Sequence, residues 1–104
     1  MDRVEFIHSI SYAEGTETVN LLMSFFNQYM LLYNLIDDIS KITYESSYAN
    51  SIEFLVDYKS QEAARKNISE IMAHNPVSIY NTICHINITS LSDSSIRIQL
   101  LTAI

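Results

Sequence analysis

The stretch ETVNLLMSFFNQYMLLYNLIDDI, residues 17–39, carries the strongest helical periodicity in the chain. At 100° per residue, Leu22, Phe25, Phe26, Tyr29, Tyr33 and Ile36 fall on one stripe, the pattern of a helix laid on a sheet. Val19, Met23 and Met30 widen that stripe on one flank, and Leu21, Leu32, Leu35 and Ile39 on the other. The apolar arc reaches about 200°, well beyond the roughly 100° that one sheet face covers. The surplus predicts a second contact. Thr16 suits the N-cap, with the Glu17 carboxylate beside the positive end of the helix dipole. From Thr18 to Ile36 there is no formal charge, which is close to membrane-spanning length. Asn20, Ser24, Asn27, Gln28 and Asn34 would each need a partner in hydrocarbon, so the expectation is a soluble helix and no membrane association.

On the N-terminal side, Val4, Phe6, Ile10 and Tyr12 alternate with Arg3, Glu5, Ser9 and Ser11 and predict a half-buried strand over 3–12, with His8 on its apolar face. On the C-terminal side, 41–48 and 51–58 alternate as two antiparallel strands joined near Ala49-Asn50. Ser60 is placed to cap a helix from Gln61 to about His74, with Ala64, Ile68, Ile71 and Met72 inward, and Asn75-Pro76 ends it. Residues 78–89 are β-prone, and Ile96, Ile98 and Leu100 alternate with Arg97 and Gln99 after a turn over 90–94. The order β, α, β, β, α, β, β predicts a single α+β domain over 1–104. It is expected to be a ferredoxin-like βαββαβ antiparallel sheet with an additional C-terminal edge strand and two helices on one face.

Composition supports one self-sufficient core: 104 residues, 48% hydrophobic, with one Gly and one Pro. No Gly-rich phosphate loop can be built from that inventory. The formal net charge is −6, and the cations Arg3, Lys41, Lys59, Arg65, Lys66 and Arg97 form no stripe. Direct nucleic-acid binding is disfavoured on that ground; the acidic balance would suit a basic partner or mimicry of DNA by an inhibitor, and a solvated acidic surface is its ordinary explanation. Cys84 stands alone, which excludes an internal disulfide and a CxxC pair and predicts a reducing, cytoplasmic location. The N-terminal residues show no secretory pattern.

Candidate chemistry is sparse. His8, His74 and His85 lie at no local metal-binding spacing, and Asp37-Asp38 lacks the spacing of a calcium loop, so neither a metal nor a cofactor is implied. Cys84 and His85 are adjacent, but neighbours on a strand point to opposite faces and cannot act as nucleophile and base. The surplus apolar surface of the first helix instead marks an interaction site centred on Met23, Asn27, Met30, Leu31 and Asn34, with the strand from Ser95 to Leu101 second as an open edge. The leading expectation is a non-enzymatic module that masks a partner protein or self-associates as a homo-oligomer, in the manner of small regulators, immunity proteins or inhibitors.

The passage Glu53-Phe54-Leu55-Val56-Asp57-Tyr58-Lys59-Ser60-Gln61-Glu62-Ala63 resembles the strand-to-helix passage of dimeric α/β-barrel proteins of the antibiotic-biosynthesis monooxygenase type. That resemblance implies a homodimer whose sheets face one another around a cavity, with small-molecule oxidation or haem binding among the family's activities. The alternative expectation is therefore a small-molecule pocket with His8, Tyr44, Tyr58 and His85 as its polar contacts.

Overall fold

The computed structural model describes residues 1–10, 17–48, 51–75, 77–79 and 82–102. The expected cap at Thr16, the hairpin tip at Ala49-Asn50, Pro76 and Tyr80 lie outside them. The elements are α1 (Arg3–Ile10), α2 (Glu17–Leu32), β1 (Ile39–Tyr48), β2 (Ser51–Tyr58), α3 (Gln61–Ala73), β3 (Val77–Ile79), β4 (Thr82–Ser90) and β5 (Ser95–Thr102). The fold is α+β, an antiparallel sheet in the order β1-β2-β5-β4-β3 with helices packed on one side.

Strand alternation sets the two faces. Ile52, Phe54, Val56 and Tyr58 of β2, Ile96, Ile98 and Leu100 of β5, and Cys84 and Ile86 of β4 are buried toward the helices. Phe54 is the hub of that packing: Phe26 of α2 stacks on it with ring centroids 4.5 Å apart, and Tyr44 of β1 meets it edge-on at 5.9 Å. Phe6 of α1 reaches Phe26 at 5.9 Å. The opposite face is mixed, with Leu55, Ile83 and Leu101 among polar side chains that pair with one another. Glu45 receives two hydrogen bonds from the Arg97 guanidinium, at 2.9 and 3.3 Å; Gln99 donates to Glu53 and accepts from Asn87; the Ser95 hydroxyl donates to Asp57.

Three expectations are corrected here. Residues 3–10 form a helix, not a strand, so the βαββαβ order with two helices is not what the chain adopts. The reason is a reciprocal capping box: the Glu5 amide donates to Asp2 Oδ1 at 2.8 Å, and the Asp2 amide to Glu5 Oε2 at 3.2 Å. Only Phe6 of the described α1 side chains is fully buried, and the spacing from Phe6 to Ile10 that passed for alternation is one helical turn.

Second, α2 stops at Leu32 rather than Ile39. Asn34 adopts φ 55°, the Leu35 amide donates to the Met30 carbonyl at 2.9 Å, and the Asn34 amide to the Leu31 carbonyl at 3.2 Å. These bonds make a Schellman motif with Asn34 as its left-handed residue, a role in which Asn is the usual substitute for Gly. Third, the strand Ser95 to Leu101 is not an edge. It lies within β5, the central strand, paired with β2 on one side and β4 on the other.

Helix α3 follows its sequence expectation at both ends. Ser60 is extended at φ −157°, ψ 165°, its hydroxyl accepts from the Ala63 amide, and His74 is the C-cap. Inside the helix, Met72 is exposed and Asn67 is buried in its stead. The Tyr58 hydroxyl donates to Asn67 Oδ1 at 2.8 Å, and Asn67 Nδ2 donates to the Leu35 carbonyl at 3.1 Å. One side chain thus ties β2, α3 and the segment after α2.

Candidate functional site

The residues expected to meet a partner divide by depth. Met30 is 0% exposed and belongs to the core, so its expected outward position is corrected. Met23 and Leu31 are partly buried against that core, and Asn27 is partly buried with its Oδ1 unpartnered among the described residues. Asn34 is exposed, but its role is the helix cap already described. Part of the apolar surface of α2 is covered within the chain: the flank residues Met30, Leu35 and Ile39 are buried in the core, α1 packs through Phe6 on Phe26, and Tyr29 and Tyr33 meet His74 at the end of α3. The exposed large apolar side chains described are Val4 and Ile7, three residues apart on α1, Leu32 and Tyr33 at the end of α2, and, elsewhere, Met72, Ile83 and Leu91, with Val4 at 77% and Leu32 at 76% the most accessible.

The four expected pocket contacts are not brought together. Tyr58 and Tyr44 lie on the helix side of the sheet, His85 is exposed on the other side, and His8 is exposed on α1. Within one chain these four groups therefore line no common pocket. Cys84 is fully buried, which pushes its thiol up to about 11, so it is not a nucleophile at neutral pH. Among the described residues there is no group of three His, Cys, Asp or Glu side chains able to hold a metal ion. No described helix is long and apolar enough to cross a membrane.

The concave surface lies where α2 ends. A cleft of about 230 Å³ is lined by Tyr33, Asn34, Leu35, Asp38, Lys66, Asn67 and Glu70. A second depression of about 240 Å³ continues from it past Ser60, Glu62 and Ala63, the two sharing Asp38 and Lys66. Local structure explains why these groups converge. The Asn34 cap turns the chain sharply, and the Lys59 amide donates to the Asp38 carbonyl at 2.9 Å, holding the start of α3 beside the 35–38 segment. Asn67 then anchors the floor through Leu35. Lys66, Asn67 and Glu70 present themselves within about one turn of α3.

Among the described residues the one ion pair closer than 4 Å is Arg97–Glu45, on the far side of the sheet; Lys66 and Glu70 stand four residues apart on α3, and the N-terminal ammonium donates to the carbonyls of Asp37 and Ile39, on either side of Asp38. The hydroxyl of Tyr29, a residue 5% exposed whose ring lies 5.1 Å from that of Tyr33, has no hydrogen-bond partner among the described residues. Burial, aided by Tyr33 and by Glu70, raises Tyr29 to about 12. Tyr58 rises as well, through burial alone.

Comparison of the chain with protein-family models, with curated proteins and with solved structures found no match. Sequence reasoning named Leu31 and Asn34 next to this cleft but missed Asp38, Lys66, Asn67 and Glu70 as a group. The available signal was Asn67, a neutral amide where the α3 periodicity calls for an apolar residue.

Proposed function

We propose that the protein acts by binding another protein through the solvent side of its helical layer, around Val4, Ile7 and Leu32. The observation that supports this reading is the exposure of Val4 and Leu32, the two most exposed of the large apolar side chains described, on two packed helices. Function by occupancy, as in a regulator or an inhibitor, requires no converging catalytic groups.

Magnitudes set a condition on this reading. Burying one such side chain contributes about 1.5–3 kcal/mol, whereas association costs about 4–15 kcal/mol in lost freedom. Two or three apolar anchors do not suffice alone, so polar contacts beside them must carry part of the affinity. The test is capture of proteins from host extract by the native chain, by a Val4→Asp/Leu32→Asp variant and by a Thr43→Asp control on the free sheet face, with light scattering of each to detect self-association. A partner, or a second copy, that is lost only from the Val4→Asp/Leu32→Asp variant supports the surface. Equal retention by all three rejects it.

A further inference from the structure

We propose that a second copy of this chain pairs with the free edge of β1, strand antiparallel to strand about a two-fold axis at Thr43, so that the two sheets join into one. This surface is separate from the helical layer around Val4 and Leu32, and the proposal does not rest on that reading.

β1 is the outermost strand of the sheet, with β2 on one side and no described strand on the other. The backbone N–H and C=O groups on the outer side of such a strand have no ladder partners and form a template for adding another strand. Two features limit the open length. At its start the Met1 ammonium donates to the Ile39 carbonyl at 2.9 Å, and the register with β2 is irregular between Ile39 and Lys41 and again between Tyr44 and Ser46. Between these interruptions Lys41, Ile42, Thr43 and Tyr44 oppose Asp57, Val56, Leu55 and Phe54 in regular order.

The side chains of this run select the occupant. Lys41, Thr43 and Glu45 are exposed on the free face, where Glu45 meets Arg97, while Ile42 and Tyr44 lie on the helix side. Because side chains alternate with a period of two, an added strand must match face to face, which restricts antiparallel self-pairing to registers centred on a residue. A centre at Lys41 or Glu45 sets like charges opposite one another, and a centre at Ile42 or Tyr44 leaves both charges opposite neutral residues. A centre at Thr43 sets Lys41 against Glu45 of the second copy twice, Thr43 against Thr43, and β-branched Ile42 against aromatic Tyr44. All three are favourable cross-strand pairs.

Both charges are available for this contact. Lys41 makes no ion pair closer than 4 Å among the described residues, although Asp57 stands opposite it on β2. The Glu45 carboxylate accepts two hydrogen bonds from Arg97 and keeps further lone pairs. A lysine on an edge guards against indiscriminate pairing, so a strand carrying a carboxylate at the matching position is the one admitted. The paired run is short, which places the dimer among weak, reversible contacts.

The experiment is sedimentation equilibrium of the full chain over a dilution series, with Lys41→Glu, Glu45→Lys and an equimolar mixture of the two variants beside the native protein. The native chain should show a reversible monomer–dimer equilibrium. Each variant alone sets like charges opposite at both ends and should dissociate about tenfold more readily. The mixture should recover the native association, because the reversed charges then meet with opposite sign. Thr43→Asp and Thr43→Lys, apart and mixed, repeat the test at the axis without disturbing the Glu45–Arg97 pair. Recovery in either mixture supports the edge. A native monomer at every concentration, native-like dissociation in all the single variants, or failure of both mixtures to recover overturns it. The Val4→Asp/Leu32→Asp variant, altered only on the helices, should dimerise like the native chain, and loss of the dimer from that variant alone would also overturn the edge. Failure of the edge and failure of the helical surface are thereby distinguished.

Discussion

Replacing Asn67 by Ala tests the buried link between sheet, α3 and the end of α2. The substitution leaves the Tyr58 hydroxyl and the Leu35 carbonyl without their partner, both on residues at most 5% exposed. Each orphaned buried group costs about 1–3 kcal/mol, so the single variant should lose about 2–5 kcal/mol with a small cavity term included. Tyr58→Phe alone should cost less, about 1 kcal/mol, because Asn67 keeps Leu35 and retains cleft access. The informative quantity is the double variant. With the hydroxyl already gone, Asn67→Ala orphans one group instead of two, so the two losses should fall short of additivity by about 1 kcal/mol. Urea unfolding of all four proteins at one pH gives the cycle, provided the m-values agree. Additivity within about 0.3 kcal/mol would refute the link, as would a loss below about 0.5 kcal/mol for Asn67→Ala.

The other predictions concern single devices. Asn34→Gly should be neutral or stabilise by up to about 1 kcal/mol, while Asn34→Ala should cost about 1–2 kcal/mol, since φ 55° is strained for a residue with an ordinary Cβ; thermal melts of the pair check the order. Asp2→Ala should cost about 0.5–2 kcal/mol and speed amide exchange in α1, which hydrogen-exchange mass spectrometry reads directly. Met30→Asp should unfold the chain, whereas Leu32→Asp should change stability by no more than about 0.5 kcal/mol, a contrast circular dichroism resolves. Tyr29 is held above its ordinary 10.0, at about 12, so its contribution is present below pH 10 and is lost as pH rises through about 12. Alkaline titration of stability should therefore fall over that window, and Tyr29→Phe should flatten the fall.

Where local chemistry was strong, the sequence was legible. Ser60 and the alternation of β2 and β5 were placed correctly because a cap and a period of two are each decided within a few residues. The position of β5 in the sheet was not legible. Pairing partners are a property of the whole chain, and the same Ile96, Ile98 and Leu100 pattern serves an edge or a centre. The cleft was hidden for a related reason. Its groups come from 33–38 and from α3, and their approach depends on a left-handed Asn34 and on the bond from Lys59 to Asp38, neither of which leaves a periodic trace.

The two larger departures have one cause. Reading residues 3–12 as a strand removed α1 from the helical layer, and the flank of α2 that α1 covers then passed for an unoccupied surface. Asp2 and Glu5, three apart, carry the capping-box signature, and a helix there brings Phe6 onto Phe26. Met30 is buried in the same core cluster as Phe6 and Phe26, and the proposed binding surface falls instead on exposed side chains of the two helices. Val4 and Ile7 lie on the short helix and Leu32 at the end of the long one, so the proposed surface depends on the element whose recognition failed. Destabilising α1 through Asp2→Ala should therefore weaken any partner capture that runs through Val4 and Ile7.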